Sequence, residues 1–380
     1  MKKRLLLLVI FLLVLCGCTK EIDIYDINTE FKDIHIYNVG QEIDMNLDYF
    51  ASRYDFNRIE VISSNENVAR VNYQEKLLIL RPGRVTLKIK LFKNNDLIVS
   101  VDYGNIIVLD DEYSQYTLIN SVSDFQKIKK DGFYYLNADL ILDDTFQSID
   151  SFSGALVNPN EYKISASLDA PLFKNIDSAF IEGLVIRGSF NGDMENIASL
   201  AYEITSSKIS DVRVEASISN GNIVSGLAVQ ITDTVVERCS FTGEINNGAY
   251  IGGMIGIANN SKISNSYVIT NFNTLEQDND VIIGGICSMI SGGIIKSSYY
   301  SGAGEYKDSD QFSVFANNVG LYYQLAFVYY TVFVDAQEVY DSEYCLYPQT
   351  FYISVDDLKK ASSLVGLEAF NFQKDQFPTL

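Results

Sequence analysis

The chain has 380 residues, a net charge of −20, one histidine, no tryptophan and 47% hydrophobic residues. A single histidine excludes an H-E-x-x-H helix and any His-rich zinc site. Because that residue, His35, falls in an early predicted strand, it also excludes a Ser-His-Asp triad further along the chain. The acidic balance argues against nucleic acid and against anionic lipid as partners, since both need a basic face, while the length and apolar content allow two or three domains with real cores.

Met1-Lys2-Lys3-Arg4 is a positive leader, and Leu5 to Leu15 is an unbroken apolar run of about eleven residues, too short to span a bilayer but right for secretion. Residues 1–17 are therefore expected to be a signal peptide. Leu15-Cys16-Gly17-Cys18 resembles the lipobox of bacterial lipoproteins, where a small residue precedes the acylated cysteine. That resemblance makes Cys18 the lipidation site and 18–30 a lipidated tether. Two acyl chains, at about 0.8 kcal/mol per buried methylene, would hold the chain at a membrane without a transmembrane helix. Removing Lys2, Lys3 and Arg4 takes three positive charges from −20 and leaves −23, so lipid must work against the chain's own charge.

Residues 31–110 read as a β-sandwich. Ile34-His35-Ile36-Tyr37, Ile59 to Ile62, Leu77 to Leu80, Val85 to Leu91, Leu97 to Val99 and Ile106 to Val108 are short β-branched runs between turn residues. Ser63-Ser64-Asn65-Glu66-Asn67-Val68-Ala69-Arg70-Val71 with Pro82-Gly83-Arg84-Val85-Thr86-Leu87 resembles the group 2 bacterial immunoglobulin-like domain. Tyr73-Gln74-Glu75-Lys76 stands where that family usually turns on glycine. The resemblance implies a spacer or adhesive module.

Residues 111–171 are expected to hold a cap and the first coil of a repeat fold. Ser123 is the expected N-cap of a short helix carrying Phe125 and Ile128, and a strand follows from Gly132 to Leu142. From 172 to 340 one pattern recurs about every 27 residues, which signals stacked units too small to bury an apolar face alone. One column runs through Ile181, Ile209, Val236, Ile263, Ile295 and Val328; a second runs through Leu200-Ala201, Leu227-Ala228, Met254-Ile255, Ile286-Cys287 and Phe315-Ala316. The copies are β-branched and aromatic runs broken by Gly, Asn, Ser and Asp, with no helical spacing, so each reads as one coil of a right-handed parallel β-helix. Gly252-Gly253-Met254-Ile255-Gly256 through Ile263-Ser264-Asn265-Ser266, repeated at Gly284-Gly285-Ile286, resembles the GLUG-type repeat of bacterial surface β-helices. Residues 341–380 are expected to cap the far end, with a short helix at Ser354 to Ala361. The chain is thereby expected to be complete, without the peptidase domain that follows some surface β-helices.

Chemistry is sparse. Cys239, Cys287 and Cys345 read as buried small side chains or a disulfide, and Gly252-Gly253 and Gly284-Gly285 are followed by no G-K-S/T phosphate signature. The 25 tyrosines and 22 phenylalanines suit core and ladder packing. Asp139, Asp143 and Asp144 near the first coil, and Asp278, Asp280, Asp308 and Asp310 in two longer turns, form no carboxylate ladder. Those turns, Asn271 to Asp280 and Gly302 to Gln311, are the candidate binding face. The expectation is an all-β protein with short capping helices, held extracytoplasmically at the bacterial cell membrane by lipid on Cys18. Its β-helix would bind or adhere to an extracellular glycan or protein, with no catalytic, cofactor or metal residue. The alternatives are a carboxylate-dependent polysaccharide lyase or glycosidase, and a structural stalk.

Overall fold

The structure is a computed structural model and describes residues 35–380 apart from 46, 48–49, 51–52, 111, 193–194, 275–279, 306–310, 319–320, 332–344 and 347. Residues 1–30, which carry the expected signal peptide, lipobox and tether, lie outside the described residues.

The first part is a two-sheet sandwich of β1 (His35–Asn38), β2 (Glu42–Asp44), β3 (Arg58–Ser63), β4 (Ala69–Val71), β5 (Lys76–Ile79), β6 (Gly83–Lys93) and β7 (Asp96–Leu109). The sheets run β1-β7-β6-β3 and β2-β5-β4. Period-two alternation places the sandwich core: along β6, Val85, Leu87, Ile89 and Leu91 are buried while Thr86 and Lys88 face solvent. They pack on Ala69, Leu77 and Ile79 of the other sheet. The two runs expected as separate strands, Leu97 to Val99 and Ile106 to Val108, are one strand, β7. Its register against β6 shifts where Leu87 meets Gly104 and Lys88 meets Asp102. Gly104, at φ 104°, accommodates that bulge.

From Thr117 onward the strands form one continuous parallel β-helix, 24 strands among the described residues, each coil lying on the last. The apolar columns read from the sequence are interior ladders. Ile181, Ile209, Val236, Ile263 and Ile295 pair in sequence and are buried, as are Ala201, Ala228, Ile255, Cys287 and Ala316. The sixth member of the first column is corrected: Leu325 stacks on Ile295, while Val328, three residues further along the same strand, pairs with Ser298. A third column, Ile186, Val214, Phe241, Val268 and Tyr300, completes the interior. In-register pairing starts earlier than the repeat pattern, since Leu140–Leu142 and Ile149–Phe152 already stack on later coils. Several strands are much longer than the three short strands per coil that the period implied. Arg213–Ser225 and Ser240–Gly252 each bend through a corner without breaking.

The corners are held by single residues in the left-handed region and by buried hydroxyls. Ser206, Asp233 and Asn260 occupy one corner at φ 46°, 48° and 44°. The next residues, Ser207, Thr234 and Ser261, turn inward. The N–H of Ala179 donates to Ser207 Oγ at 2.9 Å, that of Ser207 to Thr234 Oγ1 at 3.4 Å, and that of Thr234 to Ser261 Oγ at 3.1 Å. Each hydroxyl then donates to the carbonyl two residues back, so corner N–H groups that no strand reaches are satisfied. A second ladder repeats the device with Cys239, Ser266 and Ser298. The paired glycines have a similar steric origin: a Cβ on Gly253 or Gly285 would collide with the carbonyl of Gly285 or Val314 in the following coil.

Short helices cover the first coils and one outer face. Helix α1 (Val122–Gln126) buries Phe125 over the first coils; its N-cap is Ser121 rather than Ser123, because Ser121 Oγ accepts the Asp124 N–H and donates to the Asp124 carboxylate. Helix α2 (Val355–Lys360) and the segment after it lie along the outside of the solenoid. There Leu358, Leu367 and Phe370 cover the outward-facing Tyr267, Tyr299 and Tyr329. Tyr267 and Tyr299 stack at 5.1 Å, and the Tyr299 hydroxyl donates to the Pro378 carbonyl. The sandwich seats on the opposite end, where Ile107 joins Tyr116, Ala155, Val157 and Phe180 in one buried cluster and Asn105 donates to Ser178.

Replacing Ser266 by Ala strands the buried N–H of Cys239, and should lower unfolding free energy by about 1–3 kcal/mol. Cys239→Ser should change it far less, since a hydroxyl repeats the bonds the thiol makes. Paired urea melts check both values.

Candidate functional site

Charged side chains gather at the other left-handed corner of the early coils. Strands Phe180–Glu182, Lys208–Ser210 and Val235–Glu237 stack in register. With Ile181, Ile209 and Val236 pointing inward, the flanking residues must point out, so Glu182, Ser210 and Glu237 form one external column. The residue after each strand is in the left-handed region: Gly183 at φ 76°, Asp211 at 56° and Arg238 at 51°. The chain then enters the next face, where Arg213 begins its strand.

Arg238 forks onto Asp211, Nε to Oδ1 at 2.8 Å and Nη2 to Oδ2 at 2.6 Å, across the step between two coils. Its Nη1 also lies 3.6 Å from Glu237, which Lys208 approaches at 3.3 Å. Arg213 reaches Glu161 at 2.7 Å. Between these pairs is a groove of ≈ 300 Å³ lined by Asn158, Pro159, Glu161, Glu182, Gly183, Asp211, Arg213, Arg238 and Leu380. It carries three carboxylates and two guanidiniums. Both guanidiniums are engaged, whereas Glu182 makes no ion pair and no side-chain hydrogen bond among the described residues.

The two glutamates of the column titrate in opposite directions. Burial first, then the Asp211 charge, hold the Glu182 carboxyl above its ordinary range, with Arg238 and Lys208 opposing. Burial also acts to raise Glu237, but Lys208, by charge and hydrogen bond, and then Arg238 and Lys262 outweigh it and hold its carboxyl low.

The acids singled out in the sequence do not assemble. Asp139 accepts the Lys163 N–H at 2.7 Å, and Asp143 accepts from the Thr145 N–H and hydroxyl, so both brace turns. Asp144 lines a separate cavity of ≈ 600 Å³ with Asp150, Asp169, Lys174 and Gln126. Asp280 is exposed, and Asp278, Asp308 and Asp310 lie outside the described residues with half of each long turn. Cys18 lies outside them too. Cys239, Cys287 and Cys345 are buried; burial pushes the Cys239 thiol up to about 12 and the Cys287 thiol further, so neither of these two is a thiolate at neutral pH. Among the described residues no group of three or more His, Cys, Asp or Glu could hold a metal ion. Glu182, Asp211 and Arg238 were missed although the repeat alignment contains their signal: the third and fourth places of successive copies read Glu-Gly, Ser-Asp and Glu-Arg, then Ser-Asn and Lys-Ser.

No family model matches the chain, so the GLUG and group 2 immunoglobulin-like likenesses stay resemblances of short motifs. The chain is similar to the zinc metalloprotease ZmpC of Streptococcus pneumoniae, 31% identical over 150 residues, covering 35% of this chain and 8% of that protein. It is also similar to immunoglobulin A1 proteases of the same species. One is 29% identical over 165 residues, covering 40% of this chain and 8% of the relative; another is 28% identical over 190 residues, covering 45% and 10%. The chain thus spans about a tenth of the length of the curated relatives it matches. Among solved structures, an IgA1 protease gives a TM-score of 0.49 at 18% identity, covering 78% of this chain and 28% of that one. These names correct the expectation of a non-catalytic adhesion module for a glycan or protein, together with its lyase, glycosidase and stalk alternatives: the matching stretch belongs to proteins named for proteolysis.

Glu182→Gln should raise the melting temperature at pH 7, because ionising a carboxyl whose folded pKa is raised costs stability. The gain should disappear below about pH 4, where the carboxyl is protonated in folded and unfolded chains alike. Thermal melts of both proteins across that range measure it.

Proposed function

We propose that this chain serves proteolysis outside the cell, its β-helix engaging the polypeptide substrate of a zinc peptidase while lipid on Cys18 holds it at the membrane. The observation that carries the reading is the similarity, over 35% to 45% of the chain, to proteins named as a zinc metalloprotease and as immunoglobulin A1 proteases. With one histidine in 380 residues the chain does not encode an H-E-x-x-H helix, so zinc and its ligands come from another polypeptide segment. What the chain adds is a long rigid surface with a charged groove, the kind of element that positions a substrate and so lowers the entropic barrier to attack. The sandwich, which resembles a group 2 immunoglobulin-like domain, sets the distance between the anchor and the first coil.

The full chain, mixed with immunoglobulin A1 and the pneumococcal zinc metalloprotease, should retain the polypeptide and raise its cleavage rate several-fold, with the gain abolished by a zinc chelator. No retention and an unchanged rate would overturn the reading. Anchoring is checked separately in cells: Cys18→Ala should move the protein from membranes to the medium and remove its lipid label, and continued membrane fractionation would refute it.

A further inference from the structure

We propose that the groove beside Glu182 takes a cationic side chain, lysine or arginine, of the polypeptide substrate. The ligand class, a polypeptide, rests on the proteolytic reading; the cation rests on the groove itself. Asp211 is already engaged by both arms of Arg238, and Glu161 by Arg213. The carboxylate left over is Glu182. The Asn158 amide is spent as well, donating to the Tyr162 and Gly183 carbonyls and accepting the Tyr162 N–H. Both guanidiniums in the groove are already paired with carboxylates, whereas a cation entering it would meet one carboxylate that no ion pair engages among the described residues.

The space is built by the backbone. At the corner where the next two coils carry Asp211 and Arg238, this coil has Gly183, whose absent Cβ would lie 2.7 Å from the Asn158 carbonyl oxygen. No side chain therefore stands between Glu182 and the groove. Pro159 and Leu380 supply apolar wall for the methylene stem of a long side chain. Beside Glu182 in the column, Ser210 is 1% exposed and its Oγ is buried without a hydrogen-bond partner, so the neighbouring hydroxyl does not occupy the Glu182 carboxylate. A volume of ≈ 300 Å³ suits one side chain rather than an oligosaccharide or a folded surface. A net charge of −20 draws cationic polypeptides toward the surface before any contact forms.

The test compares the full chain and Glu182→Gln for binding to fluorescent peptides that differ only at one position, carrying lysine, arginine, Nε-acetyl-lysine or glutamate. The wild type should bind the lysine and arginine peptides at least about tenfold more tightly than the acetylated and glutamate ones, and Glu182→Gln should erase that preference while melting no lower than the wild type. Equal binding of lysine and acetyl-lysine by the wild type, or an undiminished preference in Glu182→Gln, would overturn the assignment. Run beside the cleavage assay, the outcomes separate. Acceleration of cleavage of a lysine-containing substrate by both proteins alike overturns the groove alone. Acceleration by neither, with the lysine preference intact, sustains the groove and overturns the proteolytic reading.

Discussion

Everything in this fold follows from laying one coil on the next in parallel register. Strands about 4.8 Å apart leave each residue facing its own counterpart one coil away, so any position must tolerate a stack of copies of itself. Apolar side chains tolerate it inside, where burial returns roughly 25 cal/mol for each Å² removed from water. Corners are harder, because the chain leaves the hydrogen-bonding plane and its N–H groups lose their partners. The Ser207, Thr234 and Ser261 ladder answers that, each hydroxyl accepting from the coil before it and donating back into its own. Asn191, Asn220 and Asn247 do the same on the outside through side-chain amides at 3.0 Å. A side chain that donates and accepts can be stacked indefinitely, which is why these columns hold Ser, Thr and Asn.

The same constraint decides what was legible in the sequence. Interior columns must be apolar in every coil, so Ile181 through Ile295 announce themselves by period alone. The period misleads where a corner changes length: the sixth copy aligns on Val328 because Phe327 to Tyr330 is as apolar as the true member, Leu325. Bent strands such as Arg213–Ser225 could not be foreseen, since Ser-Asn-Gly reads as a turn until a neighbouring coil offers its backbone for pairing. The N-cap slipped by two residues because Ser121 and Ser123 both precede Phe125, and only the reciprocal bonds between Ser121 and Asp124 separate them.

Contacts between distant parts of the chain left no periodic trace. Tyr267, Tyr299 and Tyr329 lie on the outside of their coils, and as a ladder they would present a broad aromatic stripe to water. The segment after α2 turns that stripe into a core, with Leu358, Leu367 and Phe370 buried against it. At the other end Ile107 of β7, Tyr116, Ala155 and Phe180 bury one another, so the sandwich is docked on the solenoid as well as joined to it. Neither arrangement is visible in the repeat, because each depends on side chains outside it.

The charged corner stands apart from both kinds of order. Its column could be filled, as at Ser210 and Ser264, by a small side chain that carries no charge. The Asp211–Arg238 fork and the Lys208–Glu237 pair are partly exposed, and such pairs contribute little to stability, roughly 0–1 kcal/mol each. Glu182, half-buried, beside Asp211 and without an ion pair of its own among the described residues, is a carboxylate held where ionisation is disfavoured. Packing and stability would both be served better by glutamine or serine. A carboxylate at that position, beside a groove to which Gly183 contributes no side chain, is the group that the proposed cationic side chain would engage.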